Sequence, residues 1–325
     1  MARRFITLVI GCLATLGVAT AQETRLRLAH TQPDTDSQHV ALVQFAKLVQ
    51  ERTGGQVRIE IFPAGQLGND GAILSGTRGG VIDLALTGNP FFAGIHPRQS
   101  ALDLPGIIRS FGHAYKVLDG PIGNELRAEL EQYNFKALGF PEIGFRNLTN
   151  SRRPVVKLED MAGLKIRTTP NPAHIKAFQL VGVNPVPMPY TEVFNALETR
   201  TVDGQENPIT LIQSAKFYEV QKYLTLTQHA YTTAVFVMNL KKFQSLPPAA
   251  QKIMETAATE VIRDQRAANR RIEEDDLAKL KAAGMQVVTD FPRADFRAKV
   301  YGPVKADYVA KFGPGLVDAI EKTPD

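Results

Sequence analysis

Polar and apolar residues alternate through Thr24-Arg25-Leu26-Arg27-Leu28-Ala29, and this period of two predicts a half-buried strand. The period then lengthens: Leu42, Phe45 and Val49 recur at helical spacing, with Asp36 or Ser37 placed to cap the helix and Gly54-Gly55 to end it. Alternation returns at Val57-Arg58-Ile59-Glu60-Ile61-Phe62, followed by the glycine-rich turn Ala64-Gly65-Gln66-Leu67-Gly68 and a helical stretch to about Gly79. Val81-Ile82-Asp83-Leu84-Ala85-Leu86 reads as a strand buried on both faces. Strand, helix, strand, helix, strand implies an α/β fold with a parallel sheet and right-handed crossovers.

A second set of elements begins near Phe135, with Lys165-Ile166-Arg167 as a strand and helices over 172–181 and 190–199. It follows the first set's style without repeating its sequence. From Pro247 to Gly284 the pattern is helical almost without a break: Ser245 is placed to cap, Pro247 and Pro248 suit a first turn, and Ile253, Ala257 and Val261 recur at i+4. A helix of roughly 37 residues would run about 55 Å. A lobe of about 150 residues has a radius of gyration near 15 Å, so this helix should cross two lobes. Its polar middle, from Arg263 to Asp276, reads as a solvated face.

The 325-residue length agrees with two lobes rather than one core. Arg3 and Arg4, the apolar run from Phe5 to Val18 and Ala19-Thr20-Ala21 form the pattern of a secretory leader, expected to be removed after residue 21. Cys12 is the only cysteine, so the remainder has neither disulfide nor thiol chemistry. The formal charge is +5; without the leader's two arginines 36 basic residues face 33 acidic ones, too mild an excess for a nucleic-acid binder.

Signatures of catalysis are missing from the sequence: there is no G-x-S-x-G elbow, no phosphate-cradling G-x-x-x-x-G-K-[ST] loop, and no H-E-x-x-H pair among six scattered histidines. Neither an enzyme nor a metal site is expected, and no cofactor. Each histidine reads as structural, although His30 ends the first strand, where α/β sheets bind ligands. The stronger signal is Arg146 in Gly144-Phe145-Arg146-Asn147 and Arg167 in Gly163-Leu164-Lys165-Ile166-Arg167. Both sit in otherwise apolar strand segments. An arginine cannot shed its charge, so a semi-buried one needs an anionic partner, either a protein carboxylate or a ligand's.

Pro63-Ala64-Gly65-Gln66-Leu67-Gly68, Gly163 to Arg167, Pro187-Met188-Pro189-Tyr190-Thr191-Glu192-Val193, Val202-Asp203-Gly204-Gln205-Glu206-Asn207-Pro208 and Lys216 to Tyr223 occur in order. In that series the chain resembles the solute-binding proteins of TRAP transporters, the tripartite ATP-independent periplasmic carriers, over essentially its whole length past the leader. The resemblance implies that Arg167 makes the main salt bridge to a ligand carboxylate, with Arg146 second, Asn207 supplying an amide and Tyr190 packing beside the ligand. It also implies a two-lobed periplasmic-binding-protein-like fold with hinge strands and a long helix spanning both lobes. Lobe I would take 22–141 with a return over about 231–265, and lobe II 142–230 with a return over about 266–325.

The implied protein is a periplasmic monomer that closes on a small carboxylate and docks on TRAP membrane permease subunits. Glu142, Asn147 and Asn89 are polar groups near strand ends that could bind hydroxyls. A sugar acid such as a hexuronate or aldonate is the first expectation, then a C4-dicarboxylate, then a keto acid. Two other classes share some features: an exported enzyme using Glu142, Glu206 or a histidine as base, and a ligand-binding partner of a sensor kinase.

Overall fold

A computed structural model describes residues 23–325, so the expected leader at 1–21 lies outside the described residues. The chain opens with β1 (Thr24–His30), α1 (Ser37–Arg52), β2 (Val57–Phe62), α2 (Asp70–Gly79) and β3 (Leu84–Gly88), then α3 (Phe111–Asp119), α4 (Pro121–Glu129), β4 (Phe135–Gly139) and β5 (Glu142–Phe145). Past Arg146 come β6 (Asn147–Asn150), β7 (Lys165–Thr168), α5 (Pro172–Leu180), β8 (Asn184–Pro187), α6 (Val193–Glu198), β9 (Gly204–Asn207), α7 (Ile209–Ser214) and β10 (Tyr223–Thr225). The chain returns along β11 (Tyr231–Asn239) to α8 (Leu240–Gln244) and α9 (Pro248–Ala282), and ends in β12 (Gln286–Val288), α10 (Arg293–Phe312) and α11 (Gly315–Lys322).

Two sheets result, ordered β2-β1-β3-β11-β4 with β5 also on β11, and β12-β10-β6-β9-β7-β8. The parallel expectation holds for β1, β2 and β3. It fails for the rest of the first sheet, because β11 runs antiparallel to β3, β4 and β5. The physical reason is its route: β11 comes back from the second lobe and enters the sheet from the opposite end. Of the second set of elements, β4 and β5 both pair with β11 in the first sheet. The strand expected over 81–86 begins at Leu84 instead. Gly80 takes φ 81° and the N–H groups of Val81 and Ile82 turn back to the Gly76 carbonyl, so these residues finish α2 and Val81 is exposed.

The two crossings of the chain between lobes pair with each other: Arg146 N–H donates to Ala230 O at 2.8 Å, and His229 N–H to Arg146 O at 3.2 Å. The third crossing is α9, 35 residues and about 52 Å long. Its first half lays Met254, Ala257, Ala258 and Val261 on Leu42, Phe45 and Val49, while Leu280 near its end joins Val193, Leu197 and Phe217 in the second lobe's core. Ser245 does not cap it; Pro247 holds that position and Ser245 closes α8.

The polar middle of α9 is only partly a solvated face. Gln265, Arg266 and Asn269 are buried. Gln265 accepts from Glu142 N–H and donates to Glu142 O, each at 2.9 Å, and Arg266 donates to Phe140 O at 2.7 Å and Asp119 at 2.6 Å. Backbone groups leaving the sheet at the crossing need partners, and this stripe supplies them. α10 packs on α5, but His113 contacts Ile320 O at 3.0 Å, and Arg109 and Ser110 hold Thr323 O and Asp325, so α11 lies against α3 and α4 beside the first sheet.

Gly204 lets β9 approach β6 closely, since a Cβ there would stand 2.0 Å from the Thr149 carbonyl oxygen. That approach sets the register that opposes Leu148 to Glu206 and Asn147 to Asn207.

Candidate functional site

Between the lobes, Gln32, Pro90 and Phe91 from the loops after β1 and β3 face Arg146, Arg167, Thr169, Tyr190 and Asn207 from the second lobe, with Ile143 and Thr232 of the crossing strands between them. The cavity they enclose is about 20 Å³, roughly the room for one water. The lobes are thus drawn close, and an organic acid requires them to part. A larger groove of about 540 Å³ runs beside α9, lined by Tyr115, Asp119, Arg266 and Arg270, but none of the expected ligand residues reaches it.

Four expected residues, Arg167, Arg146, Asn207 and Tyr190, therefore meet at one cavity. Their electrostatics differ. Arg146 is 2 % exposed and lies on the Glu206 carboxylate, which it meets with Nε and, at 2.9 Å, with Nη2; Nη2 also donates to Glu206 O and to Asn207 Oδ1. Burial would raise the Glu206 pKa, but Arg146 and the His229 ring outweigh it and hold that carboxyl well below the usual range. Arg146 thus has the internal partner that a buried arginine requires, and only Nη1, 3.3 Å from Thr232 Oγ1, turns toward the cavity lining.

Arg167 is 1 % exposed on β7 and has no carboxylate within 4 Å among the described residues. Its Nε and Nη2 donate to the Met188 carbonyl at 3.2 and 2.8 Å, and no acceptor for Nη1 is found among the described residues. Burial lowers its pKa to about 10, and the like charge of Arg146 adds to this while Glu206 and Asp70 oppose it. It remains a cation. Around it the Tyr190 hydroxyl and Gln32 Oε1 are buried without hydrogen-bond partners. A desolvated guanidinium with a free N–H beside unpaired polar atoms is an arrangement suited to an anion that brings its own hydrogen-bonding groups.

The remaining expected residues lie elsewhere. His30 is bonded to His39 at 3.0 Å, and burial lowers its pKa to about 4. Asn89 is held by Asp103 at 2.7 Å and by Gln99. Asn147 donates to Phe145 O and accepts from Gln228 N–H. Glu142, at the start of β5, accepts from Tyr115 at 2.7 Å, Asn269 at 2.8 Å and Arg270 at 2.6 Å. All four have the right polarity and stand near strand ends; protein groups hold the side chains of Asn89, Asn147 and Glu142, while His30 keeps its Nδ1 buried without a partner. Gln32, Thr169 and Thr232 line the same cavity without having been singled out in the sequence. Gln32 had a readable signal, since it lies just past the carboxyl end of β1; Thr232, within a uniformly buried strand, had none.

The profile of the family described as bacterial extracellular solute-binding protein, family 7, matches residues 28–310. The chain is 41% identical over 317 residues to the 2,3-diketo-L-gulonate-binding periplasmic protein YiaO of Escherichia coli, covering 97% of each. Among solved structures, a TRAP periplasmic solute-binding protein from Polaromonas bound to D-erythronate is 34% identical with a TM-score of 0.90, covering 93% of this chain and 100% of that one. The sugar acid binding protein DctPAm of Advenella mimigardefordensis, in complex with galactonate, is 35% identical with a TM-score of 0.89, covering 93% and 99%. The chain belongs to this family, the solute-binding proteins of TRAP transporters.

Proposed function

We propose that this protein captures a sugar acid, an aldonate or a keto-aldonate, in the periplasm and delivers it to TRAP membrane permease subunits, without catalysing a reaction. The observation that carries this reading is Arg167, a buried cation at the interlobe cavity whose free N–H has no protein carboxylate to meet. The ligand carboxylate takes that place. Arg146, already neutralised by Glu206, contributes its Nη1 edge and a rigid wall rather than a second charge. Gln32, Thr169, Tyr190, Asn207 and Thr232 supply hydroxyl partners from both lobes, which suits a polyol chain better than a plain diacid. The acids named for the relatives, diketogulonate, erythronate and galactonate, share that chemistry.

Capture proceeds by closure. The carboxylate meets Arg167 in the parted cleft, the loops after β1 and β3 come in over it, and the ligand's differential contacts shift the equilibrium to the closed form. Charge-assisted hydrogen bonds contribute roughly 1.5–3 kcal/mol each, so a few account for micromolar binding. A thermal-shift screen over aldonates, uronates, keto-aldonates and C4-dicarboxylates tests the reading, because a ligand at about 100 times its Kd stabilises by roughly 2.7 kcal/mol. A rise in Tm confined to succinate or malate would overturn it.

A further inference from the structure

Three carboxylates of the first lobe are buried where it meets the second. Asp36 caps α1, accepting from Gln38 N–H at 2.9 Å, and its Oδ2 accepts the Ser214 hydroxyl, at the end of α7, at 3.0 Å. Asp103 accepts from Asn89 at 2.7 Å in its own lobe and from Asn171, the cap of α5 in the other, at 2.8 Å; its second oxygen has no partner. Asp70, at the start of α2, accepts the Thr31 hydroxyl at 3.1 Å on one oxygen, its other oxygen is buried without a side-chain partner, and the charge of Arg167 acts on it from the second lobe. Their exposures are 3%, 0% and 1%, which the parting of the lobes would raise.

The charged groups around them do not neutralise them. Asp36 faces His39 on its own helix and the Tyr190 phenol; Asp70 faces Arg167; Asp103 faces Arg146, which is already matched, and Glu206, which repels it. We propose that Asp36, Asp70 and Asp103 are positioning residues for closure and that closing the cleft takes up protons through them, so the closed form is favoured in mildly acid medium. The inference rests on the two-lobed capture reading but not on which acid is bound.

The direction follows from linkage. Burial raises all three pKa values in the closed form, that of Asp70 to about 6 and that of Asp103 well above the ordinary range. In the open form water restores ordinary values near 3.9. The closed state then binds more protons, so lowering the pH shifts the equilibrium toward it. Asp70 alone, moving to about 6, implies about a tenfold larger closed-to-open ratio at pH 5 than at pH 7.5. His30 and His174, held by burial at about 4 and about 3, stay neutral through this window. A sugar acid stays ionised through it as well.

The test is the interlobe distance in ligand-free protein, read by fluorescence energy transfer between dyes on V81C and V156C, two exposed positions in different lobes. In a background retaining the natural aspartates, the population at the closed distance should rise at least tenfold relative to the open one between pH 7.5 and pH 5. The D70N variant and the D70N/D103N pair, which mimic the protonated groups, should be more closed at pH 7.5 and respond less to pH. Melting temperatures at each pH show whether the variants are folded, and D70N alone suffices if the pair is not. A distance distribution that ignores pH, or an unchanged pH response in folded D70N, overturns the proposal. Either result leaves the sugar-acid reading intact, since no ligand is present.

Discussion

Arg146 and Arg167 line the same cavity from neighbouring segments of the second lobe, yet Glu206 forms an ion pair with the first and only a backbone carbonyl, that of Met188, accepts from the second. Two buried cations of the same type thus hold opposite positions. One is neutralised within the fold, and the other meets no protein carboxylate among the described residues.

Removing the structural member should damage the protein itself. Arg146→Ala strands Glu206 in the interior without its main partner, and breaking a buried pair in this way costs about 3–5 kcal/mol. Chemical denaturation should show a loss of that size in the ligand-free protein, with a fall in Tm.

Asp70 makes a stability prediction of its own. Its pKa, raised by burial from 3.8 to about 6, means that the folded state binds the proton more tightly than the unfolded chain. The sign is therefore a penalty, fully present above about pH 6 and relieved as the pH falls toward 4. Asp70→Asn should stabilise the folded protein at pH 7.5 by up to about 3 kcal/mol, and the gain should vanish near pH 4. Denaturation midpoints at the two pH values check this.

Gly204→Ala should prise β9 from β6, because the new Cβ has no room before the Thr149 carbonyl. Overpacking of this kind costs about 1–3 kcal/mol, and here it also displaces Glu206 and Asn207, so affinity should fall along with stability. Titration and denaturation of the same variant read both losses.

Much of this was legible in the sequence. Helical spacing at Leu42, Phe45 and Val49 and the period-two stretch at 57–62 report which face is buried, and both are found as expected. The long helix was legible because prolines and a glycine bracket an unbroken pattern. Direction of strand pairing was not, because β11 carries no mark of where it comes from. The ordered motifs brought Arg146, Arg167, Tyr190 and Asn207 to one cavity, whereas His30, Asn89, Asn147 and Glu142, picked by polarity alone, do not line it. Whether a buried polar side chain faces a ligand or a neighbour depends on residues far along the chain, such as Asp103 for Asn89 and Asn269 for Glu142.

A matched acid and neutral sugar, such as galactonate and galactose, should differ sharply. An uncharged ligand leaves Arg167 desolvated without an anion, a penalty of several kcal/mol, so calorimetry should detect the acid and miss the sugar. A chelator should change neither result, since no cluster of metal ligands occurs among the described residues.

The most direct measurement is isothermal titration of wild-type protein and Arg167→Met with the sugar acid that gives the largest thermal shift, alongside the Tm of both proteins without ligand. The variant should lose about 2–5 kcal/mol of binding, roughly 30-fold or more, while its ligand-free Tm stays level or rises, because an apolar side chain replaces a buried cation that has no protein carboxylate. Wild-type affinity in Arg167→Met, or a collapse of its ligand-free stability like that expected of Arg146→Ala, would contradict the assignment of Arg167 to the ligand.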